Sequence, residues 1–127
     1  MLRIVVIGDI VGKPGREMVR KGLRRLVRAH GIDFVIANAE NSAAGFGVTK
    51  DIGDSLLEWG VDVMTSGNHI WDKRDIYEYL KRQPRLLRPA NYAAEAPGNG
   101  VYIHETKSGA RCAVINLQGR VYMAQTD

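Results

Sequence analysis

Val61-Asp62-Val63-Met64-Thr65, continued by Ser66-Gly67-Asn68-His69-Ile70-Trp71-Asp72, is the stretch on which the fold turns. Its first five residues are mostly β-branched or apolar, the composition of a buried strand. Gly67-Asn68-His69 then breaks the run with polar groups, and the residues after Asp72 read as a helix. Open α/β sheets place their chemistry at this kind of point, where the carboxyl end of a strand meets the next helix. Two other segments repeat the arrangement: Ile4-Val5-Val6-Ile7 runs into Gly8-Asp9, and Phe34-Val35-Ile36-Ala37 runs into Asn38-Ala39-Glu40-Asn41. Three strands therefore deliver oxygen or nitrogen donors from one edge.

Working outward, residues 2–7 predict a strand and residues 14–30 a helix, with Pro14 near its first turn and Gly31 as its stop. Residues 33–37 predict a second strand, followed by a long loop from Asn38 to Val48. Thr49 caps an expected helix over Lys50 to Trp59, which Gly60 ends. After the strand at 61–65, Asp72 is the expected cap of a helix from Lys73 to Arg82, with Ile76, Tyr79 and Leu80 on one face. The alternation is that of βα units on a parallel sheet with right-handed crossovers, an α/β fold. Beyond Pro84 the chain is punctuated by Pro89, Pro97, Gly98 and Gly100, and Val101 to His104 with Ala110 to Leu117 predict an antiparallel hairpin.

With 127 residues, 45% hydrophobic and 25% charged, the chain suits one soluble domain, 1–127. No apolar run approaches the ~20 residues of a membrane-spanning helix, and the opening strand leaves no room for a signal peptide. Cys112 is the single cysteine and sits in an apolar run, so a buried reduced thiol and a cytoplasmic setting are expected. The net charge of +4 is concentrated between Lys13 and Arg28, where Val19, Leu23, Leu26 and Val27 form a stripe at helical spacing. A solvated amphipathic helix accounts for it, and an RNA-binding face is the alternative. No aromatic residues interleave with the basic ones to stack on single strands.

The turn Gly8-Asp9-Ile10-Val11-Gly12-Lys13-Pro14-Gly15 is not a nucleotide-triphosphate loop. Only three residues separate Gly8 from Gly12-Lys13, and Pro14 stands where that loop needs Ser or Thr. Asp9 makes better sense as a metal ligand held at a strand terminus. Glu40 and Asn41 on the second strand and Asn68 on the third occupy the same level. Oxygen donors of this kind suit hard or borderline divalent ions, and a bridging carboxylate lets two of them sit ~3.5–4 Å apart. Each residue alone has an ordinary reading: Asp9 as a helix cap, Asn38 and Asn41 in Asx turns, Asn68 in a left-handed turn, His69 as a packing residue. His30 and His104 keep such readings.

The blocks Gly8 to Arg16, Asn38-Ala39-Glu40-Asn41, Gly45-Phe46-Gly47, Gly67 to Asp72, Arg88-Pro89-Ala90-Asn91-Tyr92 and Asn116 to Arg120, in this order, closely resemble the YmdB-like branch of the calcineurin-like metallophosphoesterases. The resemblance implies a four-layer α/β/β/α sandwich and two metal ions, iron or manganese. It also implies hydrolysis of phosphodiesters such as 2′,3′-cyclic nucleotides. Asp9 and Asn41 correspond to ligands of the first metal, Glu40 to the bridge, Asn68 to a ligand of the second, and His69 to the general acid that protonates the departing ribose oxygen. Three further histidine ligands of the family come from beyond the Gln118-Gly119-Arg120 block. The 127 residues thus correspond to an amino-terminal half, with weak metal retention and little turnover expected of it alone. Its expected partners are a small phosphodiester or cyclic nucleotide, RNA-derived substrates among them, and no membrane. Half a sandwich also leaves apolar sheet surface to be covered by a second copy or by the other half. The alternative is a catalytically silent α/β module that holds a nucleotide or phosphate in the same crevice.

Overall fold

Val5, Val35 and Met64 all pack into one apolar core because their strands run side by side in the same direction. The computed structural model describes residues 1–124 and 126. Its sheet contains β1 (Ile4–Ile7), β2 (Phe34–Asn38) and β3 (Val63–Thr65) in that order, both pairings parallel. The register sets Ile7 opposite Ala37, and Asn38 opposite Thr65. Each strand's carboxyl end, and the polar residues just after it, therefore lie along one edge. This is the α/β architecture of alternating βα units that the sequence predicts.

The crossovers are α1 (Gly12–His30) and α2 (Lys50–Trp59). Val19 and Leu23 of α1 and Leu56 of α2 are buried with Val35, Ala37 and Met64. Gly31 closes α1 in the left-handed region, its N–H donating to the Val27 carbonyl, a conformation that costs glycine little. Thr49 caps α2 as expected, its hydroxyl accepting from Ile52 N–H at 3.3 Å. Neighbouring groups occupy part of the basic face of α1: Arg16 donates to the Ser42 carbonyl, Arg24 to that of Glu58, and Arg20 pairs with Glu17. The amphipathic-helix reading of that charge is sufficient for these residues.

The region after β3 departs from expectation. A single 3-10 turn, Asn68–Trp71, comes first, and α3 spans only Ile76–Arg82. Asp72 ends the 3-10 turn instead of capping a helix. Asp75 precedes α3 but turns its carboxylate to Lys50 N–H at 3.1 Å, satisfying an unpaired donor at the start of α2. Asn68 is not in a left-handed conformation.

On the opposite face of the sheet lies the hairpin of β4 (Val101–Glu105) and β5 (Arg111–Ile115). Phe34, Val63, Leu87 and Val114 are buried together, with Tyr102 and Cys112 packed against them. Burying a side chain such as Phe34 contributes roughly 1.5–3 kcal/mol. Cys112 is thus half-buried, less enclosed than its sequence context suggests. His104 stacks on Phe34 at 4.6 Å, a packing role. The layers run helices, parallel sheet, hairpin. Apolar side chains of β1 and of the hairpin stay bare: Val6 is 69% exposed and Leu117, just past β5, 65%, and Ile4, Val101, Ile103 and Ile115 are exposed as well. Among the described residues no helix is long and apolar enough to cross a membrane.

Candidate functional site

The polar edge of the sheet begins with Asn38, the last residue of β2. Its side-chain oxygen accepts from Glu40 N–H at 3.3 Å, and its Nδ2 donates to Glu40 Oε1 at 3.2 Å. The Asx turn considered for Asn38 is therefore present, and it also orients the carboxylate two residues on. Glu40 Oε2 accepts from the His69 backbone N–H at 3.3 Å, joining β2 to the turn after β3.

Gly67 makes room for that carboxylate. A Cβ there would lie 2.6 Å from Oε2 and 2.7 Å from Oε1 of Glu40, well inside contact distance. The group it would displace is the far end of a flexible, partly exposed side chain that can shift at the cost of its two long hydrogen bonds, so Gly67→Ala should leave the melting temperature near that of the unmodified protein. Manganese affinity, measured by calorimetric titration, should fall about 10–100-fold, as when supporting residues of a metal site are removed. Unchanged affinity would remove Gly67 from the site.

A second chain of hydrogen bonds crosses from β1 to the turn. Asn41 Nδ2 donates to Asp9 Oδ1 at 2.8 Å, and Asn41 Oδ1 lies 2.5 Å from His69 Nδ1. Because an amide oxygen can only accept, the imidazole must carry its proton on Nδ1 here, which leaves Nε2 for other chemistry. The Asp9 side chain makes no capping bond to α1, and Asn41 is used across strands instead of in an Asx turn. The Phe46 ring stands 5.3 Å from the His69 ring.

Asn68 is exposed and lines, with Glu40, a polar cavity of about 410 Å³ whose other walls include Asn38, Asn116 and Gln118. Sequence reasoning left Asn116 without a role. Its Nδ2 donates to the carbonyls of Ser66 (2.7 Å) and Leu87 (3.2 Å), pinning the cavity's far wall to the end of β3. Arg88 is 7% exposed and its guanidinium donates to the carbonyls of Pro89, Ala90 and Ala96, which folds the loop bearing Asn91 and Tyr92 toward the same edge. Burial, and after it the Glu40 carboxylate, push the Tyr92 phenol above its ordinary pKa, so it stays a donor; its partner is the Gln118 side-chain oxygen.

Asp9, Asn41 and His69 are thus in direct contact, Glu40 touches the His69 backbone, and Asn68 faces Glu40 across the cavity. Among the described residues no three His, Cys, Asp or Glu side chains converge into a metal-holding group. The donors gathered here are carboxylate and carboxamide oxygens with one imidazole. In kind they fit a hard or borderline divalent ion, and in number they fall short of the six or so donors such an ion takes.

Residues 5–127 match the family model described as YmdB-like protein. A 2′,3′-cyclic-nucleotide 2′-phosphodiesterase of Bacillus subtilis is 43% identical over 99% of this chain and 47% of its own. The crystal structure of a hypothetical protein from Thermus thermophilus superposes with a TM-score of 0.91 at 34% identity, covering 99% of this chain and 48% of that one. That of a novel phosphatase from Mycoplasma pneumoniae gives 0.87 at 30% identity, with 98% and 46% covered. The chain spans about half the length of the curated relatives it matches.

Proposed function

Since the chain belongs to the YmdB-like family, we propose that residues 1–127 form one incomplete domain carrying the amino-terminal part of a metal-dependent phosphodiesterase site. Its substrates on this reading are 2′,3′-cyclic nucleotides and related small phosphodiesters, including those derived from RNA. The observation that carries the reading is the bonded chain Asp9–Asn41–His69 beside the Glu40 carboxylate, at the carboxyl ends of three parallel strands.

In this assignment Asp9 and Asn41 would hold one ion, Asn68 would hold the second, and Glu40 would serve both. When bound, the ions, iron or manganese, supply an activated water and neutralise charge on the phosphoryl oxygens. Asn41 fixes the ring of His69 through Nδ1–H, so when the ring is also protonated at Nε2, that second proton is the one passed to the departing ribose oxygen, which leaves the neutral Nδ1–H imidazole. Glu40 is fixed in turn by the Asn38 side chain and by the His69 backbone N–H, so the carboxylate is held by the turn that carries the acid.

The test is titration of the purified chain with manganese, with cleavage of bis(4-nitrophenyl) phosphate followed alongside. Metal binding and any cleavage should both disappear in Asp9→Ala. A chain that binds phosphate with an affinity indifferent to chelator and to Asp9→Ala would instead be the silent binding module.

The bare apolar faces of β1 and the hairpin call for cover. We assign it to a second copy, or to polypeptide of the kind that makes up the other half of the longer relatives. Light scattering should show association of the purified chain, with hydrophobic dye bound on dilution. A dye-silent monomer at all concentrations would count against it.

A further inference from the structure

Asn68 and Gln118 also line a second cavity, of about 700 Å³, whose walls include the rings of Trp71 and Tyr92. It shares these residues with the polar cavity holding Glu40, so the two spaces adjoin. The smaller carries Glu40 and Asn68, two of the residues assigned to phosphoryl chemistry; the larger is walled largely by apolar and aromatic groups. Resting on the phosphodiesterase reading, we propose that the larger cavity is a nucleobase subsite, which seats the base of a nucleotide whose phosphate lies beside Glu40 and Asn68.

Three features select a base over any other apolar occupant. First, Trp71 and Tyr92 are stacked, with ring centroids 6.0 Å apart and planes 30° from parallel, and Tyr77 lies 5.4 Å beyond Trp71. Trp71 and Tyr92 both line the cavity and present aromatic surface to it, and aromatic side chains bind bases without regard to sequence. Second, one polar group on the wall is left as a donor. Asn91 spends its carboxamide on the Gln118 backbone, accepting from N–H at 3.0 Å and donating to the carbonyl at 2.9 Å. The Gln118 side-chain oxygen accepts from the Tyr92 hydroxyl, and among the described residues no group takes the Gln118 Nε2 hydrogens, which are left to the cavity. All four bases present ring-nitrogen or carbonyl acceptors on their edges, so this donor suits a base without choosing among them. Third, each of the two cavities is of the size of small-ligand sites, so together they have room for a ligand with both an apolar and a charged end. An apolar peptide or lipid chain would leave the polar half unused.

The rings are positioned by the site itself. Trp71 ends the 3-10 turn that begins with Asn68 and His69, and Tyr92 sits on the loop that Arg88 folds. Base contact through Trp71 therefore falls on the same short turn as Asn68, three residues along the chain.

Calorimetric titration of the manganese-loaded chain with adenosine 3′-monophosphate and, separately, inorganic phosphate decides the matter. The nucleotide should bind at least about tenfold more tightly than phosphate. Trp71→Leu should erase most of that advantage and leave phosphate affinity in place. Because Trp71 adjoins Asn68, Tyr92→Leu serves as a second variant with the same expected result, and it decides alone if Trp71→Leu loses both ligands. Phosphate binding with no nucleotide advantage, or an advantage that the variants retain, overturns the subsite and leaves the phosphodiesterase reading standing. Absence of phosphate binding in the unmodified chain overturns both.

Discussion

Glu40→Gln should lower the manganese affinity of the chain by at least roughly 100-fold while changing its melting temperature little, more than the loss of a supporting residue causes. The side chain is nearly isosteric, so it still fits against Gly67. What changes is charge and hydrogen-bond polarity. Both carboxylate oxygens of Glu40 are acceptors, one for Asn38 Nδ2 and one for the His69 N–H. A carboxamide can satisfy only one of these donors and turns its own N–H₂ toward the other. The site therefore loses the negative charge that two cations share and sets donor against donor where Glu40 met the turn. The surroundings are partly solvated, so the cost to folding stays small. Titration calorimetry with a thermal melt separates the two effects. Affinity within a few-fold of the unmodified protein would deny Glu40 its bridging role, and a large fall in melting temperature would make it a structural residue.

The parallel sheet was legible because each strand is an apolar run ended by a polar break, a pattern set by local composition. The ends of elements were less so, since their causes are tertiary. Lys73 to Asp75 have helical composition, yet Asp75 is taken up by Lys50 N–H of α2, and the 3-10 turn of Asn68–Trp71 uses the chain just before it. The five candidate site residues could be named because each follows within four residues of a strand's carboxyl end. Their supports could not. Asn38 was visible as a turn former, but that it orients Glu40 depends on side-chain geometry. Gly67 matters only because a carboxylate from another strand rests on its Cα. Trp71, Tyr92 and Gln118 are brought together across a loop that sequence marks merely as irregular. The available signal was the presence of Arg88 to Tyr92 and Asn116 to Arg120 among the blocks that carry the resemblance.

His69→Ala should cost far more with one substrate than with another, and that difference is what identifies a proton donor. On a 2′,3′-cyclic nucleotide the leaving group is a ribose alkoxide, a strong base that departs slowly without a proton, and loss of a general acid there costs about 10²–10⁴-fold in turnover. On bis(4-nitrophenyl) phosphate the leaving phenolate is stable unprotonated, so the same variant should lose little beyond the effect of freeing Asn41 Oδ1 from its ring partner. His69→Gln provides the control for position: its N–H₂ can still donate toward Asn41, but it cannot transfer a proton. It should therefore match His69→Ala on the cyclic nucleotide, and metal affinity should survive in both variants, since the Glu40 contact is to the backbone N–H and not to the ring. Turnover of the two substrates by the three proteins, at saturating manganese, gives the ratio directly. Equal losses on both substrates would mean that His69 acts before the leaving group departs, by holding the phosphoryl group or the metal ligands, and the proton donor would have to be sought elsewhere.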